Sequence, residues 1–532
     1  MKRAGFLIFT TAAILLAGLT LRGAETRTSG HEDLNDLRWL DTYIEEAVRQ
    51  WQVPGLAVAV VRGEDVIYAE GFGVKKLGEN DPVDRHTLFG VASTTKAMTA
   101  AALGLLVDEG VLHWDDRVRD HLPWFELSDP WVSENVTIRD LLAHRVGIGR
   151  MTGNRLLFMP SRDQRTIMDH IRYQPFQSTF RSRYVYSNVM YMVAGMVVEA
   201  ASGMSWDEFM ASRLFAPLNM SNSNTSITMI DDGANAAWPH QKIDGVIETI
   251  PRRNFDNVGA AASVNSSVYD MAQWMILNLN DPGAYKGERI ISRRVMNDMM
   301  QPSWANNSSN PRTDNITAYG LGWNLNYYGG YKRAVHGGAA DGMNTTLILV
   351  PELDLGIVVV CNIFSNVRTA IANTVLDHFM GIERDTDWSD RLYRSYQASL
   401  RSTLQRREAI ENQRIAGTAP SLPLESYTGN YYHEVYGDLK IVIGESGNLE
   451  LRFWDDPLTF ADAEHWHLET FRASWHNRAM REKFVTFTIN EYGRVDGINV
   501  TFTLRPSMIQ AGIYPASSSR RVLYRRTGDL AR

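Results

Sequence analysis

Strand-forming runs in this sequence lie at two distant places, and helix-forming runs fill the stretch between them. Leu56–Val61 and Val66–Glu70 read as strands around the turn Arg62-Gly63-Glu64-Asp65; comparable runs return at Tyr331–His336, Asn344–Val350 and Gly356–Cys361. Between them lie helical patterns at Ser93–Glu109 (ended by Gly110), Ile138–Ala143, Ser187–Ser202 and Val268–Leu279. An amphipathic helix over Leu37–Trp51 precedes the first strand, and a helix over Val367–Met380 follows the last. Strands need partners for their backbone groups, so the two sets are expected to meet. The pattern predicts an α/β fold: one antiparallel sheet built from both ends, flanked by helices, with an inserted helical lobe. A cleft between sheet and lobe is then the natural place for a site.

Beyond residue 380 the texture changes. Asp385–Asn412 is highly charged and helix-forming, and Gly417–Pro423 breaks structure. Short alternating segments follow at Leu439–Ile443, Leu449–Phe453, His465–Phe471, Phe484–Ile489, Val500–Leu504 and Val522–Tyr524, separated by turns such as Gly444-Glu445-Ser446-Gly447. They predict a small all-β sandwich or barrel. The expected organisation is a first domain over 33–381, a helical connector and linker over 382–423, and a β-rich domain over 424–527.

Lys2 and Arg3 precede an apolar stretch from Gly5 to about Leu21, and small residues Gly23 and Ala24 follow. This is the layout of a secretory signal over 1–24, with an uncleaved membrane anchor as the alternative. It predicts a periplasmic or extracellular protein. The single cysteine, Cys361, excludes an intrachain disulfide and a thiolate zinc cage, and its place in Gly356–Cys361 reads as a small buried hydrophobe. A net charge of −7 lends no support to nucleic-acid binding. Neither HExxH, Walker A nor GxGxxG is present.

Three short segments carry chemistry. In Ser93-Thr94-Thr95-Lys96 the serine and lysine fall one helical turn apart on one face, so the lysine can reach the hydroxyl. A lysine in a dry cleft has a depressed pKa and can relay the proton, and a backbone N–H at a helix start can stabilise an oxyanion. In Tyr186-Ser187-Asn188 a tyrosine beside a charged lysine readily becomes phenolate and can act as general base, and the asparagine can hydrogen-bond both lysine and substrate carbonyl. In His336-Gly337-Gly338, at a strand end, glycines let substrate approach the backbone, and Ala339 can supply a second oxyanion N–H. Each has a plainer reading alone: a solvated lysine, an N-cap with a core tyrosine, a tight turn.

In the order SxxK, YxN, HxG the chain resembles the serine β-lactamase and penicillin-binding-protein superfamily. More narrowly it is similar to the class C-type branch, which also holds D-aminopeptidases, DD-carboxypeptidases and family-VIII-type esterases. Trp51-Gln52-Val53-Pro54-Gly55, Val136–His144 (VTIRDLLAH) and Tyr319-Gly320-Leu321-Gly322-Trp323 fit phrases of that branch, over about residues 38 to 380. The resemblance implies Ser93 as acylated nucleophile, Lys96 tuning Ser93 and Tyr186, Tyr186 as general base, and Asn188 orienting the substrate amide. The Ser93 and Ala339 N–H groups would form the oxyanion hole, with no cofactor and no metal. His336 stands where β-lactamases carry the lysine of KTG, and Gly337 replaces its hydroxyl residue. A partly charged histidine and a glycine are poor carboxylate binders, which points from β-lactams toward small peptides, amides or esters. His144 is read as structural.

From about Leu424 the chain resembles the lipocalin-like domain that follows some members of this branch, through Tyr427-Thr428-Gly429-Asn430-Tyr431. His465 and His467 share a strand face, but without further ligand spacing they make no metal site. A secreted acyl-enzyme hydrolase is the leading reading. A β-lactamase and a non-catalytic sensor of cell-wall peptides are the alternatives. Oligomeric state is left open.

Overall fold

In the computed structural model, residues 34–149, 163–306, 317–453, 457–477, 482–502 and 520–527 are described. The expected signal segment, 1–24, lies outside them.

Strands β1 (Gly55–Arg62) and β2 (Asp65–Gly73) form the hairpin read from the sequence. Three strands that were not expected follow: β3 (Trp304–Asn306), β4 (Thr317–Tyr319) and β5 (Asn324–Tyr328). Then come β6 (Tyr331–Ala340), β7 (Met343–Val350) and β8 (Leu355–Cys361). The sheet order is β2-β1-β8-β7-β6-β5-β4-β3, antiparallel throughout. The two ends of the domain meet where β1 pairs β8, from Leu56↔Cys361 to Arg62↔Leu355. β3 to β5 carry little strand signal in the sequence because they are only three to five residues long and two of them contain Asn.

Both faces of the central strands are covered, so their apolar residues run on rather than alternate. Val58, Val60, Ile348, Ile357 and Val359 face helices α1 (Trp39–Trp51) and Val367–Met380. Ala57, Ala59, Leu347, Leu349, Val358 and Val360 face the helical body. Each fully buried Val, Leu or Ile contributes roughly 1.5–3 kcal/mol. The body holds α2 (Thr95–Asp108), buried from Thr95 to Val107, then α3 (Ile138–Leu142), α4 (Asn188–Ser202) and α5 (Val268–Asn278). Val367–Met380 is α6. Cys361 is buried at the end of β8, where desolvation pushes its thiol up to about 11 and its Sγ donates to Ile363 O at 3.1 Å.

Helix α7 (Trp388–Glu411) is the charged connector, and of its residues only Ser389 is buried. Ser389 accepts from Trp51 Nε1 at 2.8 Å. The β-rich region is a closed barrel of eight antiparallel strands in sequence order: β9 (Gly429–His433), β10 (Gly437–Ile443), β11 (Leu449–Phe453), β12 (Phe460–His467), β13 (Thr470–Trp475), β14 (Lys483–Ile489), β15 (Val495–Phe502) and β16 (Arg520–Thr527). Asn430↔Thr527 closes it, which leaves no unpaired edge. The run His465–Phe471, expected as one strand, is a hairpin turn instead: Leu468 takes φ +47° and β12 folds back on β13. The turn contains no Gly, Pro, Asn or Asp, so it carries no breaker signal. Residues 503–504, read into a strand with Val500, lie outside the described residues.

Candidate active site

Ser93 sits in a 3-10 turn, Ala92–Thr94, and α2 proper begins at Thr95, two residues later than the helix read from the sequence. Ala92 has φ +49°, a left-handed conformation that an L-residue adopts only under constraint. The constraint is local: Val91 N donates to Val264 O at 3.0 Å and Thr94 Oγ1 donates to Val91 O at 2.9 Å.

Lys96 follows on the first turn of α2, with its side chain fully buried. A buried ammonium is tolerated only when its protons find acceptors. Lys96 Nζ donates to Ser93 Oγ at 3.2 Å, Asn188 Oδ1 at 2.8 Å and Ala261 O at 2.8 Å. It also lies 4.8 Å from the Tyr186 ring centroid and 5.4 Å from that of Tyr191. The Ala261 carbonyl has no sequence signature, since every residue carries one. Its segment is pinned to α2 by Thr99 Oγ1 donating to Ala260 O and by Val264 N donating to Thr95 Oγ1.

Tyr186 Oη lies 2.9 Å from Ser93 Oγ, within reach of direct proton exchange. The tyrosine precedes α4, whose N-cap is Ser187, and Asn188 opens the helix. Two fully buried tyrosines lie nearby, Tyr191 and Tyr319. Burial pushes both phenols well above their ordinary value, so they stay protonated. Tyr186 is the half-buried one that touches the serine.

The segment carrying Tyr186 is clamped onto the end of α3. His144 O accepts from Val185 N at 2.8 Å, and His144 Nδ1 accepts from Ser187 N at 3.1 Å. The His144 ring lies 4.3 Å from the Tyr186 ring and packs on Tyr184, Tyr191 and Tyr319 as well. His144 is thus a positioning residue. Asp140, fully buried, pairs with Arg145 and Arg181, and Arg181 N donates to Arg145 O at 2.8 Å. Burial raises the Asp140 carboxyl, but the Arg181 hydrogen bond, the Thr137 N–H and the Arg145 charge outweigh it, and the net direction is down.

A carboxylate with a lowered value stabilises the fold above its unfolded range, about pH 4, and loses that contribution as pH falls through the lowered value. Asp140→Asn is therefore expected to cost roughly 3 kcal/mol at neutral pH, because it leaves arginine charge uncompensated. Urea unfolding at a series of pH values should show that cost shrinking toward acid, and a pH-independent cost would refute the ion-pair account.

Strand β6 faces the turn that carries Ser93. It runs on through His336-Gly337-Gly338-Ala339 to Ala340 and turns at Asp341-Gly342, so the histidine does not end the strand as expected. The reason is that β7 keeps pairing as far as Ala340↔Met343. A Cβ on Gly338 would lie 2.1 Å from Val91 O, so only glycine lets the strand approach the Ser93 turn this closely. Gly338 O accepts from Asn344 Nδ2 at 2.8 Å, and Ala339 pairs with Asn344. His336 is buried, with Nε2 3.2 Å from Tyr319 Oη. Gly337 is exposed and pairs with Thr346, whose Oγ1 accepts from Arg368 Nη1 at 2.8 Å. Arg368 thus brings positive charge beside Gly337, a placement that sequence alone did not suggest. Gly322 takes φ +86°, and a Cβ there would lie 2.7 Å from Ala97 Cα, which ties the Tyr319–Trp323 phrase to the start of α2.

The barrel histidines are engaged with backbone: His465 Nε2 lies 2.9 Å from Leu468 O, and His467 Nδ1 accepts from Ile415 N at 3.2 Å. Glu450, Asp462 and His476 bring three possible ligand atoms within 4.8 Å of one another, but Arg452 already donates to Glu450 and offsets its charge.

The Beta-lactamase family profile matches residues 40–379, and a domain of unknown function (DUF3471) matches residues 413–511. The chain is 30% identical over 451 residues to the "Unguisins hydrolase ungD'" of Aspergillus campestris (strain IBT 28561), spanning 77% of this chain and 79% of that one. It is 26% identical over 336 residues to "Protein flp" of Staphylococcus aureus (strain COL), spanning 61% and 63%. Among solved structures, the octameric penicillin-binding protein homologue from Pyrococcus abyssi superposes with TM-score 0.58 at 20% identity, covering 92% of this chain and 100% of that one. SurE superposes with TM-score 0.55 at 20% identity, covering 87% and 97%, and both structures share the fold. The chain belongs to the beta-lactamase/penicillin-binding-protein superfamily and carries a closed eight-stranded barrel behind its beta-lactamase domain.

Proposed function

We propose that this chain is a serine hydrolase that cleaves a peptide, amide or ester through an acyl-enzyme at Ser93. The observation that carries the reading is the joint contact of Ser93 Oγ with Lys96 Nζ at 3.2 Å and Tyr186 Oη at 2.9 Å. In acylation Tyr186, held as phenolate by the buried Lys96 ammonium, takes the Ser93 proton as Oγ attacks the carbonyl carbon and becomes the neutral phenol. The Ser93 and Ala339 N–H groups receive the oxyanion. The bond to the leaving group breaks and Tyr186 returns the proton to it. In deacylation Tyr186 takes a proton from water, whose oxygen attacks the acyl carbon; the bond to Ser93 Oγ breaks and Tyr186 returns the proton to that oxygen. Asn188 Oδ1 accepts from Lys96 Nζ at 2.8 Å, and in this reading Asn188 orients the substrate amide.

The relationship to a protein named as a hydrolase supports turnover over silent binding. His336 and Gly337, in place of lysine and a hydroxyl residue, favour peptides, amides or esters over β-lactams. The N-terminal Lys2-Arg3 and apolar stretch support export.

Intact-mass and peptide mapping after exposure to a fluorophosphonate is expected to put one adduct on Ser93. A penicillin is expected to give little or none. No adduct at Ser93 with either reagent rules the reading out, and a long-lived penicillin adduct without ester turnover favours a sensor.

A further inference from the structure

The two ends of the β6 segment opposite Ser93 have different surroundings. At one end His336 meets Tyr319, whose ring packs on Tyr184 and His144 beside Tyr186. At the other, Ala340 and Asp341 line a cleft of about 530 Å3, counting its open mouth. Four residues of extended strand, His336 to Ala340, separate the ends by about 13 Å. Acyl transfer imposes a direction on a substrate lying along this strand. The atom that leaves must be near the group that protonates it, so the leaving half lies toward Tyr186. The acyl half must then run the other way, past Ala339, to Ala340 and the cleft.

The cleft also borders the catalytic framework on its second side. It is lined by Gly90, two residues before Ala92, and by Ala262, next to the carbonyl that holds Lys96. Its remaining surface is largely carbon, from Leu88, Ile227, Ile230, Phe255 and Met343. The charged residues there have protein partners, although Arg252 Nε and Asp256 Oδ1 are buried without one. Arg253 pairs with Asp341, and both are largely buried. Arg252 donates to Ala236 O at 2.9 Å and lies 4.3 Å from the Trp238 ring centroid. The Asp256 carboxylate accepts from Ser226 and Asn254.

We infer that this cleft is the acyl-group subsite and that it takes an uncharged, apolar side chain or chain of the acyl half of the substrate. The inference rests on the acyl-enzyme reading and adds which half of the substrate is selected, and by which walls. Ile227 and Ile230 are partly exposed and lie outside the sheet and the main helices, so they can be changed at little risk to the core.

The test is kcat/KM for p-nitrophenyl acetate, butyrate and hexanoate with wild type, Ile230→Asp and Ile227→Trp. In wild type the value should rise by about tenfold or more from acetate to hexanoate, since each added methylene gains contact with apolar walls. In both variants the hexanoate-to-acetate ratio should fall about tenfold, one by placing a charge in the cleft and the other by filling it. A ratio within about twofold of wild type in both variants overturns the inference, as does a wild type without preference for the longer chain. No activity on either ester in both variants also counts against it. Absence of ester turnover and of a Ser93 fluorophosphonate adduct in wild type overturns the acyl-enzyme reading itself, a different result from turnover with an unchanged chain-length profile.

Discussion

Ser93→Ala is expected to lower kcat on p-nitrophenyl acetate by roughly 10^4-fold or more, with little change in the unfolding midpoint. The nucleophilic oxygen is lost, and nothing nearby replaces it: Cys361 is buried at the end of β8 with its thiol pushed up to about 11. The fold should survive because Lys96 keeps Asn188 Oδ1 and Ala261 O as acceptors after the hydroxyl is removed. Steady-state kinetics beside a thermal melt measure both. Activity remaining within about tenfold of wild type would mean that the reaction does not pass through Ser93.

Tyr186→Phe should be nearly as damaging, lowering kcat by roughly 10^2- to 10^4-fold. Phenylalanine keeps the ring that packs 4.3 Å from His144, so the clamp on the segment stays seated. What it removes is the oxygen 2.9 Å from Ser93 Oγ. Tyr191 and Tyr319 do not take over, because burial holds both as neutral phenols and Tyr191 Oη already donates to Leu142 O at 2.8 Å. The loss should fall on kcat more than on KM, and the acidic limb of the pH–rate profile, where a general base becomes protonated, should change with it. Activity within about threefold of wild type would assign the base to another group.

Much of the fold is legible in the sequence where local pattern and tertiary role coincide. The helix over Val367–Met380 and the hairpin around Arg62–Asp65 are examples, since periodicity and turn residues mark both. The pattern fails where a segment is defined by its partner. Thr317–Tyr319 is a strand because Trp304–Asn306 and Asn324–Tyr328 lie on either side of it. His336–Ala339 stay in strand because β7 keeps pairing with them, although two glycines read as a stop. Leu468 turns the chain in a segment without Gly, Pro, Asn or Asp because the barrel must fold β12 back on β13.

The site divides in the same way. Ser93, Lys96, Tyr186 and Asn188 are visible because their short spacings fix which side chains share a face, and spacing survives in sequence. The distances between the segments do not. That Tyr186 reaches Ser93 depends on Asp140, His144 and Arg181 holding the 181–187 segment, contacts between residues up to 43 positions apart. The third acceptor of Lys96 is a backbone carbonyl, and the approach of Gly338 to Val91 is a matter of van der Waals contact; neither has a residue type to announce it. Sequence alone thus determined the chemical groups, their order and the two kinds of architecture, because composition and periodicity are local properties. Only the tertiary structure decided which groups touch, which tyrosines are silenced by burial and where a cleft opens beside Ala340, because burial and distance belong to the packed chain.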